Sequence, residues 1–349
     1  MRRHFLDNLR WGTELLVLVY HVFYLYNAVG VEGGVGGFAP VQAQDALLYL
    51  VYPWFMALLF LIAGVSARYA LERQTVGAFL RARTKKLLVP STLGLFVYHF
   101  LGGYLNLRLS GALASIPRGM IYPLSVVCGI GPLWFIQLLW LFSLTLPLVR
   151  RLDRGGRLYA LCGRATLPAL LLLAVPVWGA AQVGNTPVVV VYRFGIYYAV
   201  FLLGWFVFSH DGVQQRLARA WRPLLGAALV AGAAYSAYFF GESYAGDACL
   251  RHPFTNAYLW LMILALLGTG RARWDKTSPL ARCLTRNGFG IYVVHYVVVL
   301  YACWALKEFT PLPAVCDYAL GCAAALLASP AVYAALRRVP VLRWLMFGI

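Results

Sequence analysis

Long apolar segments alternate with short polar connections along the whole chain. The apolar segments approach the length of about 20 residues that a helix needs to cross a bilayer. They lie near residues 11–30, 46–67, 87–106, 128–149, 165–183, 188–208, 223–241, 254–270, 287–306 and 315–336. Hydrophobic residues make up 62 % of the 349 positions, whereas about 45–50 % is usual in soluble chains. The pattern predicts an all-α fold: a polytopic bundle of about ten transmembrane helices that forms a single domain over residues 1–349.

The charge of the chain is unevenly distributed between the two sides of this bundle. Lys and Arg number 30, Asp and Glu only 12. With the N-terminus in the cytoplasm, all but five of the basic residues fall on the cytoplasmic side, as the positive-inside rule requires. The exceptions are Arg108, Arg118, Arg193, Arg251 and Lys307. The charge therefore predicts an orientation with both termini cytoplasmic, and it gives no reason to expect nucleic acid as a partner.

One basic cluster allows a second interpretation. Arg81, Arg83, Lys85 and Lys86 follow the second apolar segment. Basic side chains, arginine above all, suit the geometry of phosphate groups, so this cluster could hold a phosphorylated ligand such as coenzyme A. Orientation in the membrane alone would also explain it, and both interpretations stay open.

Three ionisable residues share one face of the first apolar segment. A helix turns about 100° per residue, so Arg10, Glu14 and His21 fall within about 40° of one another. Such groups are costly inside a bilayer, which makes a functional site the default hypothesis. With Arg10 at the cytoplasmic surface, His21 lies about 16 Å further along, near the bilayer midplane. His21 is then either a general base or a structural histidine.

The ninth segment places a second histidine at a similar depth. His295 follows Tyr292 by one helical turn, and the two histidines could share a cavity. His99 in the third segment is a weaker candidate and is interpreted as structural. No carboxylate stands at ligand spacing beside His21 or His295, so no metal site is predicted. The outer connection 31–45 is rich in glycine and is interpreted as mobile, either as an access route for an acceptor or as a plain connector.

Several short motifs resemble, in order, those of the acyltransferase-3 family of integral membrane acyltransferases. The last of them is similar to the ending of the branch that succinylates glucans. The motifs are Phe5–Arg10 followed by His21, Phe60–Gly64, Phe79–Arg83, Gly131–Ile136, Gly290–His295 and Leu336–Leu345. The resemblance covers nearly the whole chain.

The resemblance implies a transfer reaction across a bacterial cytoplasmic (inner) membrane. An acyl group of the acetyl or succinyl type would pass from a cytoplasmic thioester, commonly acyl-CoA, to a hydroxyl of a glycan outside. The family's essential histidine maps onto His21 and its arginine onto Arg10, with His295 as a further catalytic candidate. Its basic stretch maps onto Arg81, Arg83 and Lys86. Acyl-CoA is then a co-substrate, and no tightly bound cofactor is expected.

The chain departs from the family pattern at two positions. Pro132 stands where many members have histidine, and Ala334 stands where many have a glutamate in the last span. Glu14 lies two helical turns below His21 on the same face and is our candidate substitute for that glutamate. Without a substitute, the alternative is a transporter or an inactive scaffold of the same architecture.

Overall fold

The computed structural model describes residues 3–31, 34–186 and 191–349. The fold is 79 % helical, with no strand among these residues, which confirms the all-α prediction. The helices, numbered in chain order, are α1 His4–Leu25, α2 Ala43–Leu71, α3 Val76–Leu109, α4 Arg118–Cys128, α5 Gly131–Leu152, α6 Arg157–Cys162, α7 Leu167–Ala180, α8 Phe194–Phe208, α9 Asp211–Arg219, α10 Trp221–Phe239, α11 Asp247–Arg251, α12 Pro253–Arg273, α13 Pro279–Phe309, α14 Ala314–Leu336 and α15 Pro340–Phe347.

Six of the described helices are long and apolar enough to cross a membrane: α2, α3, α5, α12, α13 and α14. A seventh span results if α8 and α9, which meet at 96°, count as one broken span. The segments predicted near 11–30, 165–183 and 223–241 form α1, α7 and α10. Of these, α1 carries charged residues, α7 is short, and alanine and glycine dilute the hydropathy of α10. The segment predicted near 188–208 begins outside the described residues.

The chain groups into two compact units. The first comprises Met1–Thr13, Leu48–Leu80 and Leu141–Thr285, and the second Glu14–Leu47, Arg81–Trp140 and Arg286–Ile349. The interpretation of residues 1–349 as one functional domain stays a prediction.

In the first unit, α12 packs against α9 and α10, while α2 crosses α8 at a pair of glycines. A Cβ on Gly64 would collide with the Phe201 carbonyl, and one on Gly204 with the Leu61 carbonyl. Small residues at such a crossing let two helix backbones approach closely, which supplies van der Waals packing where lipid removes the hydrophobic driving force.

In the second unit, α3 is the central element. It crosses α4 at Gly103 and Gly129, where any Cβ would strike backbone atoms, and α15 packs against its Val89–Gly94 stretch. Two π-helical turns interrupt α3, at Thr84–Leu88 and Leu95–His99. Such turns often occur at functional sites; here they contain two residues of the basic cluster and His99.

Candidate active site

Helices α1 and α13 run side by side and in parallel within the second unit. The Glu14 carboxylate lies against Gly288, where a Cβ would collide with it. Seven residues further along each helix, His21 meets His295, with ring centroids 4.9 Å apart. Equal offsets on both helices mean a parallel run of two turns, about 10 Å long. The two histidines expected at similar depth are therefore in direct contact.

The histidine pair is held by backbone carbonyls. Nδ1 of His21 lies 2.8 Å from the Val17 carbonyl oxygen and 3.1 Å from Nε2 of His295. Nδ1 of His295 lies 2.5 Å from the Tyr292 carbonyl oxygen. His295 is fully buried, whereas His21 is only half-buried. These hydrogen bonds of the pair thus involve Nδ1 of His21 and both nitrogens of His295.

These partners determine which nitrogen carries a proton. Carbonyl oxygens only accept, so the Nδ1 atoms of both rings are the donors, and in neutral rings the Nε2 atoms keep their lone pairs. Nε2 of His295 then accepts from the N–H of His21, which it shares with Val17. Nε2 of His21 remains as the proton-accepting nitrogen, which is the state that general-base catalysis requires.

Two tyrosine hydroxyls anchor α13 just before His295. The Tyr98 hydroxyl donates to the Val294 carbonyl over 3.0 Å, and the Tyr292 hydroxyl donates to the Pro132 carbonyl over 2.5 Å. Pro132 is one of the two positions that depart from the family pattern. Its carbonyl oxygen provides an acceptor for Tyr292, one turn from the histidine pair.

His99 is buried near the pair but is not bonded to it. Neither of its ring nitrogens has a hydrogen-bond partner in the described part of the chain. Since a neutral imidazole always carries one N–H, this donor is unsatisfied, which is unusual for a buried group. Among the described residues, no group of three His, Cys, Asp or Glu side chains is arranged to hold a metal ion.

Charged side chains gather at the other end of the parallel run, around residues 287–289 of α13. The guanidinium of Arg337 donates to Asn287 over 3.1 Å, Glu14 lies against Gly288, and Lys86 Nζ stands 5.1 Å from the Phe289 ring centroid. Lys86 of the predicted donor site and Glu14 therefore contact neighbouring residues of α13, Phe289 and Gly288. Arg81 is exposed and Arg83 half-buried.

Arg10 belongs to the first unit, where it pairs with Asp7 over 2.5 Å, one turn back on α1. The eleven-residue offset puts it about 16 Å from His21 along the helix, too far for contact. The start of α1 is fixed by Asn8, which donates to the Trp274 and Lys276 carbonyls over 2.6 and 2.8 Å. Sequence reasoning assigned no role to Asp7 and Asn8, and only their place in the Phe5–Arg10 motif pointed to them.

The position of the absent late glutamate lies beside a tightly packed contact. Tyr333, the neighbour of Ala334, presses its ring against Gly290, where a Cβ would overlap it. Gly290 lies between the Glu14 and His295 levels of α13. Within the second unit, this part of α14 thus contacts α13 through the Tyr333 ring. The carboxylate that contacts α13 is that of Glu14 on α1.

A family model described as an acyltransferase domain matches residues 3–334. Searches of curated proteins and of solved structures give no match. The family model covers α1 to nearly the end of α14 and therefore includes the histidine pair, the basic cluster and the charged group around residues 287–289 except Arg337. The chain belongs to the acyltransferase-3 family and is an integral, multi-pass membrane acyltransferase.

Proposed function

We propose that the protein is an O-acyltransferase of the bacterial cytoplasmic membrane, with both termini cytoplasmic. It takes an acetyl or succinyl group from cytoplasmic acyl-CoA and delivers it to a hydroxyl of a glycan outside. Similarity of the Leu336–Leu345 ending to the glucan-succinylating branch favours a succinyl group. The observation that carries the proposal is the histidine pair, because it leaves Nε2 of His21 as a proton acceptor inside an acyltransferase domain.

The proposed reaction is a direct transfer with His21 as the base. The acceptor hydroxyl gives its proton to Nε2 of His21 while its oxygen attacks the carbonyl carbon of the thioester. The carbon–sulfur bond then breaks, the electron pair passes to sulfur, and the thiolate takes the proton back from His21. An ester and a free thiol result, and His21 returns to its neutral state.

His295 and Glu14 have supporting roles in this proposal. Nε2 of His295 accepts from the Nδ1–H of His21 and so favours the tautomer of His21 in which Nε2 carries no proton. Glu14, two turns away on α1, replaces the late-span glutamate as the carboxylate of the site. Arg10, on the same stripe and paired with Asp7, is assigned to the donor side.

The donor is held by the basic cluster. Arg81, Arg83 and Lys86 supply the charge that the phosphates of coenzyme A require. Lys86 reaches α13 at Phe289, six residues before His295, which is about 9 Å along the helix. A thioester arm extending from phosphates at this level would lead toward the histidine pair.

The test is thiol release by the purified protein in lipid nanodiscs, with acetyl-CoA and succinyl-CoA compared as donors. His21→Ala should lower the rate by about 100-fold or more, the usual contribution of a general base. His4→Ala, at the start of the same helix, is the matched control and should stay within about twofold, as most substitutions outside a site do. Equal rates for wild type and His21→Ala would overturn the proposal. Mass spectrometry that traps an acylated His21 would replace direct transfer by a covalent route.

A further inference from the structure

A cavity of about 810 Å³ lies within the second unit beside the histidine pair. It is bordered by the end of α1, residues within 27–31 and 34–36 of the connection that follows it, the end of α3, and α13. The side chains that give it chemical character are Tyr24, Asn27, Asn106, Ser110 and Tyr296. Its volume falls in the range of small-molecule sites, about 300–1,000 Å³.

The lining favours a neutral, hydroxyl-rich ligand. Two phenol rings offer flat apolar faces, the Asn106 amide can both donate and accept, and the Ser110 hydroxyl oxygen can accept. The Asn27 amide is held by the backbone, because it donates to the Tyr24 and Val31 carbonyls and accepts from the Val29 N–H. None of the lining residues that the structure describes carries a charge. A sugar ring, with apolar C–H faces and hydroxyls at its edge, fits this combination better than an anion, a cation or a lipid chain.

The cavity reaches the proposed base through its two tyrosines. The His21 ring meets Tyr296 edge-on at a centroid distance of 5.1 Å, and Tyr24 at 6.1 Å. Tyr296 follows His295 directly and is backed by Gly131, where a Cβ would stand 2.9 Å from the ring. These two rings therefore both line the cavity and contact the His21 ring.

Lys307 holds the glycine-rich wall of the cavity. Its Nζ donates to the carbonyl oxygens of Val35, Gly36 and Gly37 over 3.1, 2.6 and 2.9 Å, which uses all three ammonium protons. The same ammonium stands 5.0 Å from the Phe38 ring centroid. The described part of the connection that the sequence predicted to be mobile, residues 34–45, therefore contains a stretch held by a charged side chain.

The backbone of this wall is shaped for the contact. Gly36 has a φ of +82°, a conformation open to glycine at no steric cost. Lys307 lies on α13, three turns after Tyr296, so one helix carries the partner of the base, a side of the cavity and the clamp on its wall. Because all three lie on α13, the cavity stays at a fixed distance from Nε2 of His21.

We propose that this cavity is the acceptor site, that it binds a neutral sugar ring, and that Lys307 is a positioning residue which fixes the wall formed by residues 35–37. The proposal rests on the proposed function, because the acceptor is defined by the transfer reaction. It assigns Lys307 a role through the backbone it holds and not through contact with the reacting atoms.

The experiment separates acceptor binding from donor chemistry. Succinyl-CoA or acetyl-CoA, whichever the wild type uses, is supplied with a linear glucose hexamer as the acceptor probe. Thiol release without the hexamer reports hydrolysis of the donor, and ester formation on the hexamer reports transfer. Lys307→Met should raise the KM for the hexamer about tenfold, the loss expected for a charge-assisted hydrogen-bond contact, and leave hydrolysis within about twofold.

Matched variants keep the result decisive. Lys276→Met removes a charge from an exposed position in the first unit and should change neither KM nor hydrolysis. Lys307→Arg should fall between wild type and Lys307→Met. If Lys307→Met does not fold, Gly36→Ala strains the same wall through its left-handed backbone and should raise the same KM.

Each outcome has one meaning. An unchanged KM for the hexamer in a folded Lys307→Met or Gly36→Ala protein overturns the clamp. Wild-type hydrolysis without any transfer to the hexamer overturns the sugar site but leaves the acyl-CoA chemistry standing. A wild type that consumes no thioester refutes the proposed function itself.

Discussion

The histidine pair and the basic cluster are two polar features of the second unit, and their surroundings define them to very different degrees. His295 is fully buried, and the carbonyls of Tyr292 and Val17 assign a proton to each Nδ1 of the pair. Arg81 is exposed, and Lys86 is exposed with a ring below it. The histidine pair has a fixed geometry, whereas the basic cluster consists of charged side chains that are mostly exposed.

The difference indicates how each feature acts. Buried polar groups must find partners within the protein, so their geometry restricts what they can do. Exposed basic side chains keep water as a partner and meet a ligand without a preset arrangement. Substitutions in the pair should therefore lower kcat, and substitutions in the cluster should raise the KM for the donor.

After His21 itself, the largest effect is expected at His295. His295→Ala removes the acceptor of Nδ1 of His21 and releases the ring, so kcat should fall by about 100-fold, as when a reacting group is misplaced by about 1 Å. His295→Gln should recover part of the loss, because its amide oxygen can accept the same bond. Steady-state kinetics should show an unchanged KM for acyl-CoA in both variants.

His99 provides the control for His295. It is equally buried, but its nitrogens have no described partner. His99→Leu removes an unsatisfied donor, so kcat should stay within about twofold and the stability should be equal or higher. Thermal unfolding and kcat measured together would reveal a contrary result. A loss as large as that of His295→Ala would mean that three histidines act together.

A smaller effect is expected at Glu14. Glu14→Gln keeps the shape but removes the charge beside Gly288, and we expect about a tenfold loss of transfer, since a hydrogen bond to a charged group contributes about 1.5–3 kcal/mol. Gly288→Ala should act in the same direction, because the added Cβ would displace the carboxylate. Transfer assays at matched protein levels give the measurement.

Gly12→Ala is the control for the glycine substitution. Gly12 lies on α1, two residues before Glu14, and a Cβ there meets nothing within 4 Å. Transfer should be unchanged, and the helix should gain up to about 1 kcal/mol. Full activity of Glu14→Gln would end the hypothesis that Glu14 replaces the glutamate absent at Ala334.

The sequence predicted the helical class but not the neighbours of each helix, and the depth of the histidines in the membrane stays a prediction. Hydropathy locates an apolar segment, and the rise of 1.5 Å per residue then gives a depth, by which alone His21 and His295 were matched. That they touch depends on which face α1 turns to α13, and a residue 274 positions away leaves no local signal. Three of the predicted spans, α1, α7 and α10, form helices but are not long and apolar enough to count as membrane-crossing helices. The first is polar, the second is short and the third is rich in small residues.

Specific backbone contacts were the least predictable part of the site. Nothing in the pattern of residues 34–37 showed that Lys307 would bond three of their carbonyls. Lys307 appeared only as one of five basic residues on the outer side. Likewise Asn8 carries no charge and no hydropathy signal, yet it fixes the start of α1 by two bonds to main-chain carbonyls. Such bonds depend on the tertiary fold.

The smallest effects are expected in the basic cluster. Lys86→Gln should raise the KM for acyl-CoA about two- to fivefold with kcat unchanged, because an exposed charge pair contributes about 0.2–1 kcal/mol. Arg81→Gln should have the smaller effect of the two, because no ring contact of Arg81 is found among the described residues. Arg154→Gln, an exposed arginine of the first unit, should have none.

A donor without its 3′-phosphate tests whether these residues meet phosphate at all. If Lys86 contacts that phosphate, Lys86→Gln should weaken binding of acyl-CoA but not of the dephospho donor, so that the two changes are not additive. Additive losses would place the phosphate elsewhere and return the cluster to its other interpretation, orientation in the membrane. In that case the comparison with the histidine pair becomes sharper still: the histidine pair carries the chemistry, and the exposed charge only sets the orientation of the chain in the membrane.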